Sequence, residues 1–458
     1  MSNASSVIAA ISTPLAPAGL GVIRLSGEGA AGLADRVFRP AGRGKSLSAL
    51  PGYTALYGTV YDAEGDIDEC VALVFRAPHS YTGEEVVELS CHGGLYLLRR
   101  TLRAVLDAGA RPAEAGEFTR RAFINGKLDL TRAEAVMDLI AANGRLAAKT
   151  ALAAREGAVY RKLEEVRGVL LGAAANLSAF VDYPDEDIPE LTPEALGSQL
   201  AAARDSVEGL LATFDAGRVI REGIDTVIVG SPNVGKSTLM NLLAGCERSI
   251  VTPIAGTTRD IVEETIRLGD VLLRLADTAG IRSTNDEVES IGVRRAKSRM
   301  ETAALVLAVF DGSRPLTADD RRMAEEAAGP NAIAIINKSD LGLKINEEYI
   351  SSLFPRVVIT AAKAGDGLAA LQDAVRDAVG LQGMDGTEPL LANERQRRCA
   401  ALCLDCLNEG LDALKAGMTL DAVEVSIDGA ISAILELTGE RATEAVVDEV
   451  FARFCVGK

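Results

Sequence analysis

The chain has 458 residues, room for two to four domains at about 100–200 residues each. Its 48% apolar residues suffice for ordinary cores, and 25% charged residues without a long polar tract exclude extensive disorder. A formal net charge of −17 excludes a broad basic surface for nucleic acid, so any RNA contact is local or shared with a partner.

Residues 1–17 lack basic side chains, and their apolar run is too short for a signal peptide. No segment approaches the roughly 18 continuous apolar residues of a membrane span. The cysteines at 70, 91, 246, 399, 403, 406 and 455 are odd in number and lack framework spacing, which points to a reducing compartment and a cytoplasmic protein.

In chain order, residues 1–120 mix short β-like runs (Val22–Leu25, Val71–Phe75, Val86–Leu89) with Gly-rich turns, an α/β or α+β pattern. From Leu128 to Asp215, apolar residues recur every three or four positions, as in Arg132–Ala142 and Leu146–Leu177, and predict helices. The run Asp182-Tyr183-Pro184-Asp185-Glu186-Asp187 reads as a solvated loop that ends one of them. Apolar strands at Asp225–Val229, Leu272–Ala276, Leu305–Phe310, Ala332–Ile336 and Arg356–Ile359 then alternate with helices, the pattern of a doubly wound parallel sheet. Helical sequence resumes after Gly383 and continues to Phe454. The expected fold is therefore multidomain, α/β and α, with the doubly wound domain inserted in a helical domain. The boundaries fall at 1–120 (N-terminal domain), 121–216 (helical, first part), 217–383 (the doubly wound domain) and 384–458 (helical, second part).

Gly230-Ser231-Pro232-Asn233-Val234-Gly235-Lys236-Ser237 satisfies the phosphate-loop pattern, with a strand before it and a helix (Thr238–Ala244) after it. Asn233, Val234, Gly235, Lys236, Ser237 and Thr238 are the expected phosphate contacts, with Lys236 on the β- and γ-phosphates and Ser237 on Mg²⁺. Asp277-Thr278-Ala279-Gly280 follows a strand, where a carboxylate supports Mg²⁺ and a glycine N–H reads the γ-phosphate. Asn337-Lys338-Ser339-Asp340 follows another strand. A carboxylate there accepts from both the ring N–H and the exocyclic amine of guanine, which selects GTP over ATP. Ile281 occupies the place of the water-orienting glutamine found in many GTPases, so another group must orient the nucleophile. Asp286, Glu287 and Glu289 follow in the same loop. No arginine finger stands out, although Arg221, Arg259 and Arg282 are near in sequence.

These motifs, with Gly256-Thr257-Thr258-Arg259-Asp260, Asp286-Glu287-Val288-Glu289 and the terminal Phe454-Cys455-Val456-Gly457-Lys458, resemble the MnmE (TrmE) family of tRNA-modification GTPases. The resemblance also takes in Arg24-Leu25-Ser26-Gly27, Tyr81-Thr82-Gly83-Glu84, His92-Gly93-Gly94 and the run from Gly116 to Lys127. It implies a homodimer whose G domains meet face to face and use K⁺ in place of an arginine finger. It assigns K⁺ to Asn233, Thr252, Ile254 and Thr257, Mg²⁺ to Ser237 and Thr258, and the attacking water to Glu289. Thr252 and Thr258 count also as GTP contacts. It further implies an N-terminal tetrahydrofolate site (a 5-formyl or methylene derivative) contacted by Arg24, Glu88, Lys127 and Lys458. The resemblance also implies that Cys455 is needed for modification of C5 of the wobble uridine of certain tRNAs, jointly with the FAD-binding partner MnmG (GidA).

Taken alone, Arg24 and Lys127 read as surface charges, and a terminal thiol as inert. Cys399, Cys403 and Cys406 read as helix-packing cysteines, with no second pair or histidine near them. His92 reads as structural or near folate. Two departures from the family pattern are Pro17–Gly21, with few glycines, and Ala361-Ala362-Lys363, with alanine where many G proteins have serine. The alternative reading is a non-enzymatic GTP-state switch such as a ribosome-assembly factor.

Overall fold

The computed structural model describes residues 6–182, 192–245, 264–275, 300 and 303–458. The chain forms two compact units, residues 1–137 with 431–458, and residues 138–430. Among the described residues no helix is long and apolar enough to cross a membrane.

The first unit is built on a seven-stranded sheet of order β3-β4-β5-β6-β2-β1-β7. Its strands are β1 (Ile8–Ile11), β2 (Ala18–Ser26), β3 (Phe38–Pro40), β4 (Thr54–Asp62), β5 (Gly65–Phe75), β6 (Val86–Gly93) and β7 (Arg111–Pro112). All pairs are antiparallel except β1 with β7. The period of two sorts the side chains onto two faces. The row Ile11, Ile23, Leu89, Ala72, Leu56 belongs to the core, beneath the helix Leu95–Asp107 and its buried Leu98, Ala104 and Val105. The next row, Ala10, Arg24, Glu88, Leu73, Ala55, lies on the opposite face. There Phe118, from the helix Glu117–Ile124, covers Ile8 and Ala10 of β1. The C-terminal helix Glu444–Ala452 completes this unit, packing Val447 and Phe451 with Phe454 against Leu130, Ala133 and Val136.

The second unit combines helices with a six-stranded sheet of order β13-β12-β11-β8-β10-β9. The strands are β8 (Ile224–Val229), β9 (Glu264–Leu268), β10 (Val271–Leu275), β11 (Leu305–Asp311), β12 (Ala332–Asn337) and β13 (Arg356–Ile359). Five are the strands expected from the apolar runs, and they are mutually parallel. The sixth, β9, pairs antiparallel with β10 through the two-residue turn Gly269-Asp270. Both faces of the sheet are buried: Leu307 and Val309 enter one core, Ala308 and Phe310 the other.

The helices of this unit lie on either side of the sheet in the chain. Thr192 caps Pro193–Ala212 by accepting from Ala195 N–H, with proline at the first helical position. Asn393 caps Glu394–Lys415 through Gln396 N–H. Leu200 meets Gly410 and Gly197 meets Leu414, so the two helices run antiparallel. The helical run expected over Leu146–Leu177 is two helices, Arg145–Arg155 and Ala158–Asp182, separated by a turn at Glu156-Gly157. Cys399 and Cys403 are buried on the helix Glu394–Lys415, and burial pushes the Cys403 thiol up to about 12, as suits packing side chains.

Candidate functional site

Strand β8 delivers the chain to Gly230, and the helix Lys236–Gly245 leaves from the other end of the phosphate loop. Within the loop Asn233 takes a left-handed conformation, φ 61°, an arrangement that costs about 1–2 kcal/mol for a residue with a Cβ and must be held by its surroundings. Gly235, at φ 102°, lies so close to Asn337 that a Cβ there would stand 2.2 Å from Nδ2. Lys236 Nζ donates to the carbonyl oxygens of Gly230 (2.6 Å) and Ser231 (2.9 Å), and burial pushes its ammonium below the usual lysine range. Ser237 is exposed at the start of the helix, where unpaired backbone N–H groups favour anions.

The guanine motif supports the loop from below. Asn337 is 2% exposed; its Nδ2 donates to Val234 O (3.1 Å) and its Oδ1 accepts from Ala362 N–H (3.0 Å). Lys338 Nζ donates to Asn233 O and to Asp311 Oδ2, both at 2.7 Å. Burial pushes the Asp311 carboxyl up, but Lys338 and Ser313 outweigh it and hold it below the usual range. Asp340 is exposed on the short turn Ser339–Leu341.

A third support comes from the helix Ala318–Ala327. Thr317 and Asp320 form a capping box at its start, and Asp320, 2% exposed, also accepts from Ser231 Oγ at 2.6 Å. Arg314 Nη1 donates to the same carboxylate at 2.7 Å.

In the N-terminal unit Arg24 is the centre of a second polar cluster. Its guanidinium donates to Glu88 (2.8 Å) and to Gly457 O (3.3 Å), and lies 5.6 Å from the ring centres of Tyr81 and Phe118. The chain terminus is docked here: Ser12 Oγ donates to Gly457 O, Phe118 N–H to Lys458 O, and Val456 bridges Ala115. Cys455 is exposed beside this contact, and Lys127 Nζ donates to Pro78 O at 3.0 Å. Arg121, 6% exposed, ties Glu84, Glu117 and the Ser26 carbonyl together in the same unit. His92 is exposed and bonded to Asp68, whose carboxylate raises its pKa. Among the described residues no group of three His, Cys, Asp or Glu side chains could hold a metal ion.

Comparison with known proteins reads the same way along the chain. The model of the MnmE helical domain matches residues 130–455, and that of the GTP-binding protein TrmE N-terminus matches residues 7–127. The tRNA modification GTPase MnmE of Geobacillus kaustophilus is 40% identical, covering 98% of this chain and 99% of the relative. The chain belongs to the MnmE family of tRNA-modification GTPases. The family's Symbiobacterium thermophilum member is 42% identical over the same shares of both chains. The G domain of the T. maritima FeoB iron transporter matches 34% of this chain and 98% of its own at 21% identity and a TM-score of 0.24, a likeness too slight to carry argument.

As a member of the MnmE family the protein is a GTPase, and the non-enzymatic switch reading falls away. The structure brings Asn233, Val234, Gly235, Lys236, Ser237, Thr238, Asn337 and Lys338 to one loop system, and Arg24, Glu88 and the terminus to another. Thr252, Ile254, Thr257, Thr258, Asp277, Thr278, Ala279, Gly280 and Glu289 lie outside the described residues, as does most of the acidic run after Asp182. Sequence reasoning passed over Asp311, Arg314, Asp320 and Arg121. For Asp320 the available signal was Thr317-x-x-Asp320, a capping pattern that names a helix start but not the loop it supports.

Proposed function

We propose that the protein is a K⁺-stimulated GTPase that, with the FAD-dependent partner MnmG, modifies C5 of the wobble uridine of certain tRNAs using a tetrahydrofolate one-carbon unit. The carrying observation is the docking of Gly457 against Arg24, two residues from the exposed Cys455 and at the Arg24–Glu88 ion pair. In this reading Arg24, Glu88, Lys127 and Lys458 bind the folate, whose negative glutamyl tail and flat pteridine suit a guanidinium, two ammonium groups and the Tyr81 and Phe118 rings. Mg²⁺ is held by Ser237 and Thr258. K⁺ is held by Asn233, Thr252, Ile254 and Thr257, supplying positive charge where no arginine finger stands, and Glu289 orients water. The domain boundaries proposed are near residues 120, 216 and 383, with the helical domain relaying G-domain movement.

The open part of the seven-stranded sheet supports a homodimer. Tyr57, Val71 and Leu20 are 54, 43 and 68% exposed on the face opposite the core, an apolar surface suited to a second copy. The acidic balance leaves most tRNA affinity to the partner.

The deciding experiment is mass spectrometry of tRNA nucleosides from cells whose only copy carries Cys455→Ser. Loss of the wobble C5 modification, with GTP turnover retained by the purified variant, supports the reading. An unchanged nucleoside profile overturns the role given to the terminus. Turnover equal in KCl and NaCl overturns the K⁺ assignment separately.

A further inference from the structure

Among the described residues the phosphate loop is anchored from outside at three points. Two are Asn337 on Val234 O and Lys338 on Asn233 O, both from the guanine motif. The third is Asp320 on Ser231 Oγ, from a helix that belongs to no nucleotide motif. Asp320 is a fully committed buried carboxylate. Its Oδ1 takes the Ser231 hydroxyl, and its Oδ2 takes Arg314 Nη1, Thr317 N–H and the Thr317 hydroxyl at 2.7, 3.0 and 2.8 Å. Arg314 Nε in turn stands 3.9 Å from Asp311 Oδ2, the oxygen that also receives Lys338 Nζ. The groups therefore close a ring, from Ser231 through Asp320, Arg314, Asp311 and Lys338 back to Asn233.

We propose that Asp320, backed by Arg314, is a positioning residue for GTP hydrolysis, clamping Ser231 so that the phosphate loop keeps its shape as charge builds on the transferring phosphoryl group. The capping box uses Thr317, the Asp320 N–H and Asp320 Oδ2, and leaves Oδ1 out. The Ser231 bond adds nothing to the cap, and it reaches the loop across two elements of the fold. The clamp acts on the first turn of the loop, while the two guanine-motif anchors act on its middle. Because Arg314 joins Asp320 to Asp311, the loop's two outer attachments share one ion network, so a shift at Lys338 is felt at Ser231. Loop amides stabilise the transition state only if they are already aligned, so loosening the clamp acts on kcat more than on KM.

The inference rests on the GTPase reading, and steady-state kinetics of the full chain with GTP, Mg²⁺ and K⁺ test it. Ser231→Ala lowers kcat about tenfold and moves KM less than about threefold, the size expected for a hydrogen bond to a charged group. Asp320→Asn does the same, the double variant is no slower than the slower single variant, and Ser231→Thr restores kcat to within about twofold. Asn346→Ala, which removes a helix cap elsewhere in the same domain, lowers the melting temperature without lowering kcat and so measures what lost stability does alone. Wild-type kcat in Ser231→Ala, or effects of the two single changes that multiply in the double variant, overturns the proposal. Absence of turnover in the wild-type chain instead overturns the GTPase reading, whatever the variants do.

Discussion

Asn337 and Asp320 are two polar side chains, each 2% exposed, that serve the same loop by different chemistry. Asn337 uses both ends of its amide, giving a hydrogen bond to Val234 O and receiving one from Ala362 N–H. Asn337→Ala leaves both backbone groups buried without that partner, at a cost of about 1–3 kcal/mol each. The expected result is a lower unfolding midpoint in denaturant and at least about tenfold weaker GDP binding by calorimetry, since the loop loses a support along with stability. Unchanged GDP affinity in a folded variant would remove Asn337 from the loop's support. Asp320 carries a pH signature as well. Burial pushes its carboxyl up, but Arg314, Ser231 and Thr317 outweigh it and hold it below the usual carboxylate range. A carboxyl depressed in the folded state contributes stability that is complete above its unfolded pKa near 3.8 and is lost as pH falls below that value. Asp320→Asn therefore flattens the acid limb of the stability curve below about pH 4, which urea melts from pH 5 to 2 resolve. The sequence disclosed Lys236 and Asn337 because a phosphate loop and a guanine motif bind through fixed local spacing. It did not disclose Asp320, because the Ser231 bond joins positions 89 residues apart and no local pattern encodes it.

Strands and helices were legible in proportion to how continuous their apolar runs are. Strands β8 and β10–β13 read directly from the sequence, because a strand of a covered parallel sheet is mostly apolar, with few polar residues such as Asp225 and Arg274 among them. Strand β9 escaped because Glu264–Leu268 alternates: Ile266 and Leu268 are buried at 0 and 1% with Arg267 between them and Thr265 before them. The joining Gly269-Asp270 was the signal that could have found it. The terminal segment is less predictable still, having only six residues after its last helix, and it is held by the N-terminal sheet rather than by its own propensity. Its conformation turns on Gly457, at φ 96° and packed so tightly that a Cβ would stand 2.6 Å from Ile11 O. Gly457→Ala should release the terminus while leaving the cores intact. Carboxypeptidase digestion followed by mass spectrometry would then remove Lys458 faster than from the wild type, with little change in melting temperature. Equal digestion rates would mean that the tail stays docked through Val456 and Phe454 alone.

At the scale of the whole molecule, the least legible feature is that the last residues return to the first sheet. Arg24 and Gly457 are separated by 433 positions, and no local pattern in either neighbourhood points to the other; only the family resemblance, which gives Arg24 and Lys458 to one folate site, joins them. The same sheet carries the argument for assembly. An antiparallel sheet with one face in water normally alternates apolar with polar residues, so its outer rows should be polar. Here the outer row at Tyr57, Val71 and Ser90 is apolar at its β4 and β5 end, while on β1 the outer residues Ile8 and Ala10 are already covered by Phe118. A two-fold pairing of this face with itself covers the exposed rows without any further element, as an isologous interface requires. Placing a carboxylate in that interface opposes it to its own copy across the axis, and Glu69, already bonded to the Tyr57 hydroxyl, adds to the repulsion. The wild-type chain is thus expected to run as a dimer in light scattering, and Val71→Glu as a folded monomer at the same concentration. If K⁺-stimulated turnover needs two G domains, the variant also loses the dependence of specific activity on protein concentration that the wild type displays. A monomeric wild type at tens of micromolar protein, the range in which weak association is detected, would count against the sheet as the dimer surface.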